Sequence, residues 1–406
     1  MSATASACPT AVRSRGRRSL HPSVAFVGMS ATFAALFLAA GAPSPLLVLF
    51  QREWGFPAWQ LTIAVSGYSF GLLAALLVTG RLSDHLGRRP VIIGALALEL
   101  VSLVLFLGAH SIALVIAARV VQGVATGIAT SAFSATVIEH APENRKRIAA
   151  VLTGVAPAGG LGLGALLAGA TAELSADAGT IVFGALSALV IAGLVVTALS
   201  AETVTPSTGA LASLRPRLVV PRSARRDFTA LAPLIVAAWM TATLFLGLAP
   251  SILRGVFGID DELVIGAVAF AEPASAAIAS ILFARLSVSR SLLVSGAAMV
   301  LGAVIIVVGI AAASLPGLIV GGVLGGVGFG LSFSAALRRL APHAEAHERA
   351  GLFAAVYTVS YLAFGVPVVV AGLLIAPVGL LAVAVGFGAA ILLAAGLGLG
   401  AQVRRR

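Results

Sequence analysis

Gly80-Arg81-Leu82-Ser83-Asp84-His85-Leu86-Gly87-Arg88-Arg89-Pro90 is a short charged connection between two long apolar runs. Three arginines and an aspartate fall within these eleven residues. The glycines at its two ends let the backbone turn sharply, and Pro90 suits the first turn of a following helix. If the flanking runs cross a membrane, the connection sits on one face of the bilayer and fixes the spacing of two helices.

Composition makes them membrane spans. Of 406 residues, 59% are hydrophobic and only 10% are charged, and the mean hydropathy is +1.08. So few charges could not cover the surface of a soluble domain. An apolar run of about 20 residues crosses the hydrocarbon core, and twelve such runs are predicted, near 24–50, 58–79, 91–109, 112–136, 148–170, 180–200, 228–251, 263–284, 291–313, 317–337, 351–374 and 379–401. The fold class is therefore an all-α polytopic membrane protein. The bilayer is its obligatory partner.

The net charge of +11 is scattered through short loops, which speaks against nucleic acid as a partner. With the N-terminus inside, 23 of the 26 Lys and Arg residues fall on the cytoplasmic side, including Arg13, Arg15, Arg17 and Arg18. Only Arg52 and Arg254 fall outside, and Arg119 lies within a span. By the positive-inside rule both termini are cytoplasmic. The lone cysteine, Cys8, permits no disulfide framework or cysteine metal site. Arginine outnumbers lysine 25 to 1 in a chain rich in alanine and glycine. This fits GC-rich bacterial coding, hence a multi-pass protein of the bacterial inner membrane.

Ala40-Gly41-Ala42 imitates a signal-peptide cleavage site. The second half of the chain argues otherwise. Leu36-Phe37-Leu38 leading to Ala42-Pro43-Ser44 recurs as Leu244-Phe245-Leu246 leading to Ala249-Pro250-Ser251, and a motif repeated mid-chain reads as a proline break in a retained helix. Arg81-Leu82-Ser83 recurs as Arg285-Leu286-Ser287, and Ala132-Phe133-Ser134-Ala135 as Ser332-Phe333-Ser334-Ala335. These echoes, about half a chain apart, divide the chain into an N-terminal tail (1–22), a six-helix half (23–200), a cytoplasmic linker (201–227) with three prolines and five arginines, a second six-helix half (228–401) and a short tail (402–406).

Three ionisable residues lie within predicted spans: Glu99, Arg119 and Glu272. A charge at that depth costs at least ~2.5 kcal/mol on insertion scales, so each requires a partner, a wet cavity or protonation. Glu99 and Arg119 enter from opposite faces, and at 1.5 Å per residue their depths differ by only several ångströms. A pair is possible. Glu272 precedes Pro273, whose ring frees a carbonyl nearby; a carboxyl in such apolar surroundings is a candidate proton carrier. Otherwise it is a protonated, hydrogen-bonded structural residue.

The connection at 80–90 resembles the signature loop between helices 2 and 3 of the major facilitator superfamily. Gly80, Leu82, Ser83, Asp84, Gly87, Arg88 and Arg89 match it, whereas His85 stands where a second fixed cation is usual. Arg119 with Gln122, Gly123 and Gly127 is similar to the family's helix 4 signature. Helix 5, with Gly154, Pro157, Gly159, Gly160, Gly162, Gly164 and Gly169, loosely resembles that of the family's antiporters but lacks their adjacent Gly-Pro. The resemblance implies two six-helix halves that rock about a central cavity. It also implies a cytoplasmic gate in which Asp84, with Arg81, Gly80, Gly87, Arg88 and Arg89, meets the start of helix 11, and proton or substrate coupling by Arg119, to which the positions of Glu272 and Glu99 within spans add candidate partners; the alternative is a structural arginine tying helix ends to carbonyls. Helix 3 is peripheral in that fold, so Glu99 can equally serve as a stabiliser of the first half.

A mostly apolar cavity is expected from helices 1, 4, 7 and 10, with Gln122, Trp239, Thr241, Thr243 and Phe333, joined by Tyr68, Tyr357 and Tyr361 from helices 2 and 11. It suits a lipophilic or weakly polar small molecule. No nucleotide-binding loop, metal cluster or catalytic triad is legible, so neither an enzyme nor a cofactor is expected. The energy source expected is the proton gradient. The expected function is alternating-access transport by a functional monomer, most simply proton-coupled efflux. Uptake of a sugar or metabolite, or a non-transporting sensor, is the alternative.

Overall fold

The structure is a computed structural model describing residues 20–216, 218–345 and 348–405. Cys8, the arginines of the N-terminal tail, Arg217 and Arg406 lie outside the described residues. Twelve helices are long and apolar enough to cross a membrane. In chain order they are α1 (Pro22–Trp54), α2 (Ala58–Thr79), α3 (Arg88–Leu107), α4 (Ile112–His140), α5 (Glu143–Leu174) and α6 (Ala178–Leu199), then α7 (Arg222–Gly255), α8 (Glu262–Leu282), α9 (Val288–Ala311), α10 (Leu315–His343), α11 (Arg349–Val378) and α12 (Leu380–Val403). No strand occurs among the described residues. Within the hydrocarbon only helices or closed barrels satisfy every backbone group, and an apolar sequence punctuated only by glycine and proline takes the helical solution.

Several helices outrun their predicted spans. Hydropathy reads the thickness of the apolar layer, whereas backbone hydrogen bonding continues into the polar flanks; α4, α5, α7 and α10 extend a turn or more towards the arginine-rich loops. The 80–90 connection holds a short helix, Leu82–Leu86. Its sharp turn sits at Gly87, with φ 98°, while Gly80 stays right-handed and helical at φ −56°. Only Gly87 needs to be glycine for conformational reasons.

The repeated proline breaks sit inside continuous helices. In α1, Ala42 keeps helical dihedrals between Pro22–Gly41 and Pro43–Trp54. In α7 a wide π turn, Leu244–Leu248, precedes Pro250. Such bulges re-aim carbonyls and cluster at functional positions. A proline lacks the N–H that would bond the carbonyl four residues earlier, so Pro43 frees Ala39 O and Pro250 frees Leu246 O. Both are re-used. Gln122 Nε2 donates to Ala39 O (3.1 Å), and Ser44 Oγ, beside the first break, donates to Leu246 O beside the second (2.5 Å). The two echoes thus meet across the two halves.

Glycine lets the helices approach backbone to backbone, since between membrane helices association rests on close packing rather than on apolar burial. A Cβ at Gly127 of α4 would lie 2.5 Å from Leu72 O of α2. The glycines of α5 serve two neighbours: Gly160 and Gly164 face α1, whereas Gly162 and Gly169 face α8. Packing therefore accounts for these four without any antiporter signature. The linker after α6 carries one short helix, Ala210–Ser213, and α3, α6, α9 and α12 stand outside the cavity wall.

In the α9–α10 contact, a side chain at Gly302 would come within 2.9 Å of Gly321 O, while Gly94 of α3 has open space. Gly302→Leu is expected to destabilise the protein by about 1–3 kcal/mol through overpacking, lowering the midpoint of thermal unfolding in detergent. Gly94→Leu should leave that midpoint unchanged.

Candidate functional site

The two halves enclose a central cavity of about 620 Å³ lined by eight helices, α1, α2, α4, α5, α7, α8, α10 and α11. Its wall includes Arg147 and Arg338, both at the end of the bundle that carries most of the arginines, and it opens there. At the opposite end the halves are sealed. Ser44 bonds Leu246 O, and α5 and α8 meet at Gly169 and Gly266, where a Cβ on Gly169 would lie 2.8 Å from Gly266 Cα.

Trp239, Phe333, Tyr68, Tyr357 and Tyr361 line the cavity, as do Phe329 and Phe364. Trp239 is the centre of this aromatic wall: its ring centroid lies 4.7 Å from that of Tyr361 and 5.4 Å from that of Phe329. Its indole Nε1 is buried with no hydrogen-bond partner. The structure places Thr241 and Gln122 off the lining. Thr241 donates to Ala237 O and packs its methyl against Gly325 of α10. Thr243, also off it, ties α7 to α11 by donating to Phe364 O at 3.0 Å. The cavity is broader than helices 1, 4, 7 and 10 alone, because α2, α5, α8 and α11 also contribute to its wall.

Arg119 is buried in the first half and reaches the cavity edge. Its guanidinium donates to Ala40 O (3.0 Å) and to Gln122 Oε1 (2.6 Å) and lies 4.5 Å from the centre of the Tyr68 ring. Glu99, fully buried on α3, receives Gln122 Nε2 at 3.0 Å. Glu99 and Arg119 therefore do not pair directly: Gln122 accepts from one and donates to the other. Glu99 Oε2 is left without a partner. In the second half Glu272, buried to 1% exposure, lines the cavity with Oε1 unpartnered. No cluster of three or more His, Cys, Asp or Glu side chains able to hold a metal occurs among the described residues.

At the open end, Arg88 binds Asp84 Oδ1 (2.5 Å), Ser83 Oγ (2.7 Å) and Glu139 Oε1 (3.3 Å). Glu202 of the linker caps α3, accepting from the backbone N–H groups of Arg88 and Arg89, both at 2.9 Å. His85 Nδ1 lies 3.1 Å from Ser207 Oγ of the same linker.

The sequence profile of the Major Facilitator Superfamily matches residues 29–308. The chain belongs to the Major Facilitator Superfamily. Over 68 residues it is 41% identical to the multidrug resistance protein MdtL of Escherichia coli. That match spans 17% of this chain and 17% of MdtL. Two solved structures share the fold at low identity. The nucleoside transporter NupG superposes with a TM-score of 0.69 at 10% identity, covering 93% of this chain and 99% of its own. A POT family transporter in complex with 5-aminolevulinic acid gives 0.70 at 14% identity, covering 94% of this chain and 95% of its own.

Against the superfamily pattern, one expected contact is not made. Among the described residues Asp84 pairs with Arg88 rather than with the first turn of α11. A space of about 450 Å³ lies between the start of the 80–90 connection and α11, lined by Gly80 and Arg81 on one side, Glu348 and Gly351 on the other, and Ser213, Arg215 and Val219 of the linker. The open cavity mouth holds the halves apart there. Glu139 and Glu202 escaped sequence reading, because a carboxylate in a polar stretch carries no mark of the partner it meets: Glu139 takes the Arg88 guanidinium and Glu202 the start of α3. The adjacency of Glu139 to the end of α4 was the only signal.

The Gln122 bridge generates a test. Gln122→Leu removes the hydrogen-bond partner of the buried Glu99 carboxyl, with an expected loss of roughly 2 kcal/mol. In Gln122→Leu with Glu99→Leu part of that loss should return. Thermal unfolding of both single variants and the double variant gives the coupling, and simple additivity would mean that the bridge is not a unit.

Proposed function

We propose that this superfamily member is a secondary transporter that exports a small lipophilic or weakly polar organic molecule by alternating access, driven by proton entry. The observation that carries the reading is the central cavity between two six-helix halves, sealed at one end and open at the other, with an unpartnered carboxyl in a mostly apolar wall rich in aromatic rings. A rocking motion of one half against the other moves such a cavity from one face to the other. Arginine accumulates at the open end, so the positive-inside rule makes that end cytoplasmic in the bacterial inner membrane, with both termini on that side. The conformation is then inward-facing, ready to load from the cytoplasm.

Aromatic rings and an unpartnered indole N–H suit a lipophilic solute. Most serine and threonine hydroxyls of the wall donate to backbone carbonyls, which leaves few for a sugar, and the arginines outside the Arg119 network, Arg147 and Arg338, stand at the open mouth rather than among the rings. The name of the partial relative MdtL agrees with drug-like cargo. Glu272 serves as the proton-carrying carboxyl: loading of substrate and of a proton at one cavity wall couples the two movements. Arg119, held by carbonyls and Gln122, organises the first half and presents a fixed positive charge at the cavity edge. The path lies within one chain, which supports a monomer as the working unit, and neither a cofactor nor a catalytic step is called for.

Purified protein in liposomes containing a pH-sensitive dye tests the reading. With an imposed proton gradient, one class from a panel of lipophilic cations, antibiotics and sugars is expected to trigger proton movement. Glu272→Gln should bring that movement down to the level of protein-free vesicles while leaving the detergent-solubilised protein monodisperse. Full proton movement in Glu272→Gln would remove the carboxyl from the coupling step. A response to sugars alone would replace efflux by uptake.

A further inference from the structure

The sealed end of the bundle contains charges that neither the coupling scheme nor the cavity uses. Glu173 stands in the last turn of α5, in the first half, and its Oε2 accepts the backbone N–H of Glu262, the first residue of α8 in the second half, at 2.9 Å. Asp261 caps the same helix end through Val264 N at 2.9 Å. The Glu262 carboxylate forms a buried ion pair with Arg254 at the end of α7. Arg254 also lies 4.0 Å from Asp260, which reaches Arg52 at the end of α1 at 3.7 Å. Two of these contacts, Glu173 to Glu262 and Arg52 to Asp260, join one half to the other.

The backbones beneath them are in direct contact. A Cβ on Gly169, one turn before Glu173, would lie 2.5 Å from Glu262 O and 2.8 Å from Gly266 Cα. The α5–α8 seam is therefore shut at this end, while the same two helices line the open cavity with Ala150, Val151 and Gly154 on one side and Ser280 on the other. Opening the sealed end must pull α8's first turn away from Glu173, stripping a carboxylate from the end of a helix that carries about +0.5 charge.

We propose that Glu173 is the latch of the outer gate: its carboxylate caps α8 across the halves when the cavity faces the arginine-rich end, and releases it when the cavity faces the other way. The placement is the inverse of Asp84. Asp84 lies in the connection after α2, whose Gly80 and Arg81 face the start of α11 across the open mouth; Glu173 ends α5 and holds the start of α8. Each is a carboxylate at the C-terminal end of a cavity-lining helix of the first half, opposite the N-terminus of a helix of the second half. In this conformation the contact at the sealed end is made and the one at the open end is not. A cavity that alternates requires that only one be made at a time. The inference rests on the alternating-access reading but not on any particular substrate or coupling ion.

Spin labels at Ala176→Cys and Leu263→Cys, in a full-length Cys8→Ser chain reconstituted in nanodiscs, report the width of the sealed end. The parent should give one dominant short distance. Glu173→Ala is expected to raise the long-distance population about fivefold, the shift that corresponds to about 1 kcal/mol of lost capping. Glu173→Gln keeps an oxygen that can accept the Glu262 N–H and should stay near the parent distribution, which a variant that had merely misfolded could not do. An unchanged distribution in Glu173→Ala would overturn the latch. Because the readout is a distance, that result together with intact transport would leave the transporter standing, whereas a widened gate in a protein that moves nothing would support the latch and sink the transport reading.

Discussion

A buried guanidinium sets the terms for the first half. Arg119 cannot sit at membrane depth without donors' partners, and its partners are backbone carbonyls and an amide rather than a carboxylate. Ala40 O, Ala64 O and Gln122 Oε1 receive its N–H groups. Gln122 in turn takes Ala39 O, the carbonyl that Pro43 leaves without its helical donor. The proline break in α1, the arginine and glutamine of α4 and the glutamate of α3 are thus one hydrogen-bonded unit. It needs α4 close to α2, and Gly123 and Gly127 allow that approach.

The second half repeats the frame without the charge. Pro250 frees Leu246 O behind a π turn, but the donor that arrives is Ser44 from the other half. One break therefore braces the interior of a half, while its echo braces the junction between halves. The polar capacity of the second half is left at the cavity wall, in Glu272 Oε1 and Trp239 Nε1, both buried and unpartnered. An unmet donor and acceptor in an apolar wall are expensive to keep in a resting protein, and a site that exchanges ligands is where such groups are retained.

The two ends of the bundle use charge differently. At the arginine-rich end, Arg88, Asp84, Glu139 and Glu202 bind the 80–90 loop to its own half and to the linker, and the mouth stays open. At the other end, Arg52, Asp260, Glu173 and Glu262 connect one half to the other, over backbone contact between α5 and α8. Of the two sets, the second spans the seam between the halves.

Much of this was legible beforehand. Twelve apolar runs, the loop at 80–90 and the asymmetric arginines specified a twelve-helix membrane protein, because the bilayer permits only helices here and prices every charge by its depth. The echo of Phe37 and Pro43 in Phe245 and Pro250 marked two proline positions that lie within α1 and α7. Sequence could also single out Glu99, Arg119 and Glu272, since a charge in an apolar run is conspicuous by itself. What it could not supply was who meets whom. Gln122 lies between Glu99 and Arg119, Thr241 turns away from the cavity, Asp84 stays with Arg88 and Glu173 reaches α8. Those facts depend on helix rotation and on contacts such as Glu99 with Gln122, 23 positions apart, and Glu173 with Glu262, 89 apart. Hydropathy records the depth and chemistry of each residue, but only the packing of helix against helix decides its partner.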